Sequence, residues 1–135
     1  MYTKEELQNK YNKAVKLNLS GAELLIDPIA PDVCNGIGAG WMWDNLRDLV
    51  GALNPTLILA ADIHDVRYAV GGNDADRKFA DDEFLDNAIK CGDAEYGWWN
   101  LFRYRVREQA RKFYLILRVF GKKAWNDTQK GGENK

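Results

Sequence analysis

Hydrophobic positions recur at helical spacing along most of the chain. In the last third, Trp98, Phe102, Val106, Ala110, Phe113, Leu117, Phe120 and Ala124 follow at intervals of four and three, with Leu101, Ile116 and Val119 beside them. Such a run makes one continuous apolar stripe along a long helix, and a stripe of that kind ordinarily faces the core. Residues 4–18 read as a polar helix with a thin stripe at Leu7, Tyr11 and Val15. Residues 19–40 read as loop, punctuated by Pro28, Pro31, Gly21, Gly36, Gly38 and Gly40. Asp44 is placed to cap a short helix ending near Leu53, with Leu46, Leu49, Val50 and Leu53 inside.

Pro55 suits the first turn of the next helix, which runs to a Gly71-Gly72 stop. Asn73 or Asp74 caps its partner, predicted to end before Gly92, with Phe79, Ala80, Phe84, Leu85, Ala88 and Ile89 as apolar positions. A turn that short forces the two helices to pack antiparallel. From Asn126 onward the chain is polar and glycine-containing, which predicts a disordered tail over 126–135. The expectation is one all-α domain over residues 1–125.

A length of 135 residues, 46% hydrophobic and 29% charged, fits a single soluble globular domain. No apolar run reaches the roughly 20 residues that span a bilayer. Met1-Tyr2-Thr3-Lys4-Glu5-Glu6 lacks the basic stretch and apolar block of a secretory signal, so the expected location is the cytoplasm, or outside by a non-classical or virion route. Two cysteines, Cys34 and Cys91, exclude a disulfide-dense scaffold and have no metal-ligand spacing. The net charge of −1 hides an asymmetry: residues 94–125 sum to +6, residues 1–93 to −7 and the last ten to zero. The basic segment reads either as a solvated helix face or as attraction to an anionic surface, lipid or nucleic acid.

His64 is the only histidine. That excludes multi-histidine metal sites and makes His64 the sole candidate for an imidazole general base. Tyr68 lies one turn on, along the same face. Asp65 is a poor partner for the ring, because neighbours on a helix point about 100° apart. The orienting acid is therefore expected from the facing helix, which offers Asp76, Asp81, Asp82, Glu83 and Asp86; Asp81 borders the inward face, beside Ala80 and Phe84. Asp82 shares its side with Lys78 and Asp86 and looks solvated. The run Asn35-Gly36-Ile37-Gly38-Ala39-Gly40 permits a tight turn with inward carbonyls. Carbonyls plus one carboxylate, left to Asp65, suit a hard cation such as calcium. The same run lacks the lysine and the strand-to-helix context of a phosphate loop, which argues against nucleotide binding. A Cys34–His64 nucleophile pair has no third orienting group, and Ser20, the only serine, lies in no motif.

Cys34-Asn35-Gly36-Ile37-Gly38, His64-Asp65-Val66-Arg67-Tyr68 and Ala80-Asp81-Asp82-Glu83-Phe84, in that order, resemble the phospholipase A2 superfamily. The similarity is greatest to its disulfide-poor branch in viral capsid, phage and bacterial proteins, and covers about residues 32 to 91. The resemblance implies a glycine-rich calcium loop, an antiparallel helix pair carrying the site, and a Ca2+-dependent hydrolase that cleaves the sn-2 ester of phospholipids. His64 would activate water, Asp81 would orient His64 and Tyr68 would support Asp81. Asp65 would bind calcium with carbonyls of Cys34, Gly36 and Gly38, and the Gly36 N–H would help hold the oxyanion. The disulfide-bonded enzymes have cysteines where this chain has Ala61 and Arg67, so helix packing must hold the site instead. The segment from Gly38 to His64 is also longer than in those enzymes, with Trp41-Met42-Trp43 inserted.

Under this reading the partners are phospholipid and a membrane surface bound peripherally, and no nucleic acid. Trp41, Met42 and Trp43 would meet lipid, with the basic face of residues 103–123 adding attraction to an anionic leaflet. The alternative is a catalytically silent helical protein of the same scaffold, acting as a structural or interaction module in a phage or mobile element.

Overall fold

The computed structural model describes residues 2–34 and 55–133, with side chains described through Asn126. Among these residues the secondary structure is helical, with no strand. The glycine run Asn35–Gly40, the triplet Trp41-Met42-Trp43 and the helix expected to end near Leu53 lie outside the described residues.

Helix α1 spans Lys4–Lys16 and opens on a capping box: Glu6 N–H donates to Thr3 Oγ1 at 3.0 Å, and Thr3 N–H donates back to Glu6 Oε1 at 3.3 Å. Its buried residues are Leu7 and Ala14, while Val15, expected to face inward, is exposed. Leu7, Tyr11 and Ala14 form the true stripe, because a small residue at position 14 lets the following segment close over the helix. That segment is not all loop. It holds a 3-10 turn at Ala22–Ile26 and a short helix, α2, at Ala30–Val33, and both bury apolar side chains.

A 3-10 turn at Pro55–Leu57 leads into α3, Ile58–Val70. Gly71 (φ 76°) and Gly72 (φ 138°) stop it in conformations that a Cβ disfavours. Asn73 then caps α4, Asp74–Glu95, through a capping box with Asp76. The last helix, α5, spans Leu101–Glu133.

The helices depart from the sequence pattern at three places. Helix α4 continues past Gly92, because the missing side chain admits Val106 of α5: a Cβ there would sit 2.7 Å from Val106 Cγ1. Helix α5 continues past Asn126, where a disordered tail was expected; extending an existing helix adds a hydrogen bond per residue with no new nucleation cost. Finally, the inward stripe of α5 is Val106, Ala110, Phe113, Leu117, Gly121 and Ala124, whereas Trp98, Leu101, Phe102, Val119 and Phe120 face solvent.

Helices α3, α4 and α5 share the main core, centred on Tyr68, Phe84, Phe113 and Leu117. A smaller cluster joins α1 and the 19–25 segment to Leu59, Ile63 and Cys91, and a third joins Leu7, Ala30 and Val33 to Val66. A polar clasp ties the 19–25 segment to α4. Asn87 accepts from Ser20 N–H at 2.9 Å and donates to Ser20 O at 2.8 Å; Ser20 Oγ donates to Glu83 at 2.6 Å. Arg67 of α3 completes it with two 3.0 Å bonds to Glu83. The Arg67–Glu83 ion pair ties α3 to α4 beside the clasp.

Asn87 is fully buried, so Asn87→Ala strands the Ser20 backbone groups and is expected to cost about 1–3 kcal/mol. Urea unfolding reads this as a lower midpoint at unchanged slope. An unshifted midpoint would mean the clasp contributes nothing.

Candidate active site

Antiparallel packing sets the His64 face of α3 against the Asp81 face of α4. His64 Nε2 lies 2.8 Å from Asp81 Oδ1, and Tyr68 Oη donates to the same oxygen at 2.8 Å. The spacing explains both contacts. His64 and Tyr68 are one turn apart on α3, so one carboxylate opposite can serve both. All three side chains are buried, His64 to 0% side-chain exposure. The imidazole is held by rings: Tyr68 at 4.2 Å between centroids and Phe84 edge-on at 5.7 Å.

The other oxygen of Asp81 belongs to arginines. Arg118 Nη1 of α5 donates to Oδ2 at 2.7 Å, and Arg77 Nη1, one turn earlier on α4, reaches it at 3.4 Å while donating to Leu117 O at 3.1 Å. Burial alone would raise the Asp81 carboxyl. The hydrogen bonds from His64, Tyr68 and Arg118 outweigh burial and hold it below the usual aspartate range. Tyr68 moves the opposite way, its hydroxyl pushed up by burial and then by the Asp81 charge, so it stays a donor. Asp81 is thus a fixed anion with donors on both oxygens. It can hold one tautomer and orientation of His64 and stabilise a positive ring.

Arg77 was legible in principle, lying at i−4 from Asp81 on one helix face. Arg118 was not, being 37 residues away on an element whose basic residues read as surface charge. Other cations of that segment are tied as well: Arg103 and Arg107 to Asp93, and Lys112 to Glu108. Asp82 is half exposed as expected and receives Lys78 and the Tyr114 hydroxyl, each at 2.6 Å.

Of the residues expected around a cation, Asp65 and Cys34 are described, and Gly36 and Gly38 are not. Asp65 is buried, 6% exposed. The Cys34 thiol is pushed well above its ordinary range by burial and then by the charges of Asp62 and Asp65, so the Asp65 carboxylate lies near the residue that leads into the glycine run. Among the described residues no three His, Cys, Asp or Glu side chains group as metal ligands.

Asp62, one turn before Val66, is paired with Lys10 of α1 at 2.9 Å, a contact the motif did not suggest. A raised pKa also makes Cys34 a poor nucleophile, and its Sγ donates to Asp62 O at 3.7 Å. Cys34 and Cys91 are both free thiols, and burial pushes Cys91 up to about 11. No helix among the described residues is long and apolar enough to cross a membrane. The chain matches no family model, no curated protein and no solved structure.

Proposed function

We propose that this chain is a phospholipase A2-like esterase that hydrolyses the sn-2 ester of phospholipids with a His64-activated water and requires calcium. The observation that carries this reading is the buried triad of His64, Asp81 and Tyr68 across α3 and α4, with bonds of 2.8 Å to one carboxylate oxygen.

His64 Nε2 is committed to Asp81, so proton exchange with water falls to Nδ1. Nδ1 takes a proton as the water oxygen bonds to the ester carbonyl carbon, and Asp81 stabilises the ring charge without taking the proton. When the carbon–oxygen bond to the glycerol breaks, Nδ1 returns that proton to the leaving oxygen. Calcium, held by Asp65 with the carbonyls of Cys34, Gly36 and Gly38, would supply charge stabilisation to the developing oxyanion, helped by the Gly36 N–H. Tyr68 and the two arginines keep Asp81 ionised and in place.

The full burial of His64 favours a second reading, the silent scaffold, in which the triad only joins α3 to α4. One experiment separates them. On phospholipid vesicles with calcium, the parent should release fatty acid and His64→Gln should not, at unchanged helicity. Asp65→Asn should weaken the calcium response strongly. Equal release by parent and His64→Gln, or none from either, would remove the esterase reading.

A further inference from the structure

The corner between α4 and α5 presents large apolar side chains that the core does not use. Trp98 is 74% exposed, Trp99 72%, Leu101 78% and Phe102 54%. Periodicity assigns three of these four to the core stripe. They lie where α4 ends at Glu95 and α5 begins at Leu101, and stay exposed there. The corner is nonetheless tightly built. Asn100 N–H donates to Gly97 O at 2.9 Å, Asn100 Oδ1 caps Phe102 N–H at 2.9 Å, and Tyr104 Oη donates to Trp98 O at 3.0 Å. Below it, Asp93 is gripped by Arg103 and Arg107. Tyr96 packs on Phe102 at 5.8 Å. An ordered turn that holds two indoles, a leucine and a phenyl ring in water is the kind of patch that marks an interaction surface.

We infer that the corner Trp98-Trp99-Leu101-Phe102 is a bilayer-docking surface that inserts into the interface of anionic phospholipid. It is separate in sequence from Trp41-Met42-Trp43. Two features favour lipid over a protein partner. Adjacent indoles at the tip of a helical hairpin suit a membrane interface, where the ring is apolar and its N–H stays wet. The flanking charge is complementary to an anionic leaflet: residues 93–112 carry five cations against Asp93, Glu95 and Glu108, a sum of +2. Among the described residues Arg105 and Arg111 have no acidic partner, and the Arg105 guanidinium lies 5.6 Å from the Phe102 ring centre, at the edge of the patch. Arginine in that position can meet a lipid phosphate.

The inference is independent of catalysis, and its test is made so. Vesicles of ether-linked phosphatidylcholine and phosphatidylglycerol have no sn-2 ester, so co-sedimentation reads binding alone. The full chain should bind them, less so at high salt. Trp98→Ala with Trp99→Ala should weaken binding by about tenfold or more, since each indole carries a large apolar area. Their exposure leaves the thermal melt unchanged. Arg105→Glu should weaken binding to the anionic mixture and spare phosphatidylcholine alone. Absence of binding by the parent, or equal binding by the double variant, overturns the surface. So does a parent that self-associates through this patch while its vesicle binding ignores the substitutions. Hydrolysis of a soluble short-chain ester, measured in parallel, reports on the esterase reading, so either proposal can fail alone.

Discussion

Asp81→Asn is expected to destabilise the protein by about 3–5 kcal/mol, the cost of removing one partner from a buried charge cluster. The substitution keeps the shape of the side chain and removes its charge. Arg77, 7% exposed, is then left with no anion, and an amide nitrogen can face its guanidinium and that of Arg118 in place of an acceptor. The loss should depend on pH. The folded-state pKa of Asp81 is lowered, so in acid the unfolded chain binds a proton that the folded chain does not. This contribution is fully present above the ordinary aspartate value, about 3.9, and is lost as pH falls through the folded value. The gap between parent and variant in urea midpoint should therefore be widest near neutral pH and narrow in acid. A constant gap would mean that the charge of Asp81 contributes nothing to holding α5 on the helix pair.

Gly121→Ala is expected to cost about 1–3 kcal/mol through overpacking. A Cβ at Gly121 would lie 2.8 Å from Tyr68 Oη and 3.3 Å from Arg77 Nη1, so either α5 moves away or the Tyr68 hydroxyl leaves Asp81. In an isolated helix the same change would stabilise, because alanine is the better helix former. The sign thus reports the tertiary contact. Tyr68→Phe removes the crowded oxygen, so the double variant should lose less than the two single losses added together. Simple additivity would place the clash elsewhere. If the esterase reading holds, Gly121→Ala should also slow hydrolysis, since it displaces the Tyr68 hydroxyl that supports Asp81.

Much of the helical frame was legible because its signals are local. Asn73 as a cap and Gly71-Gly72 as a stop act within one turn and fall where the pattern put them, whereas Pro55 opens a 3-10 turn and the α-helix it was expected to start begins at Ile58. The core triad was legible for a similar reason. His64 and Tyr68 share a face by their spacing, and the short turn brings α4 alongside so that Asp81 meets them. What misled was the assumption that an apolar residue at helical spacing is buried. Val15 and Phe120 sit beside the buried stripes, and Phe102 lies on its stripe yet stays 54% exposed.

The sequence by itself determined the long helices α1, α3, α4 and α5, the antiparallel hairpin and the shared face of His64 and Tyr68, because turn length and the 3.6-residue period are properties of neighbouring residues. Tertiary structure alone decided which glycines are core. Gly92 reads as a position just past a helix end, yet it and Gly121 are both buried, and each marks a point where another side chain comes too close for a Cβ. It also decided the charge around the site. Arg118 reads as one cation among many until α5 lies across the hairpin and sets it 2.7 Å from Asp81. Contacts between residues distant in sequence depend on how helices pack, and packing is settled by the fit of whole surfaces, which no local pattern encodes.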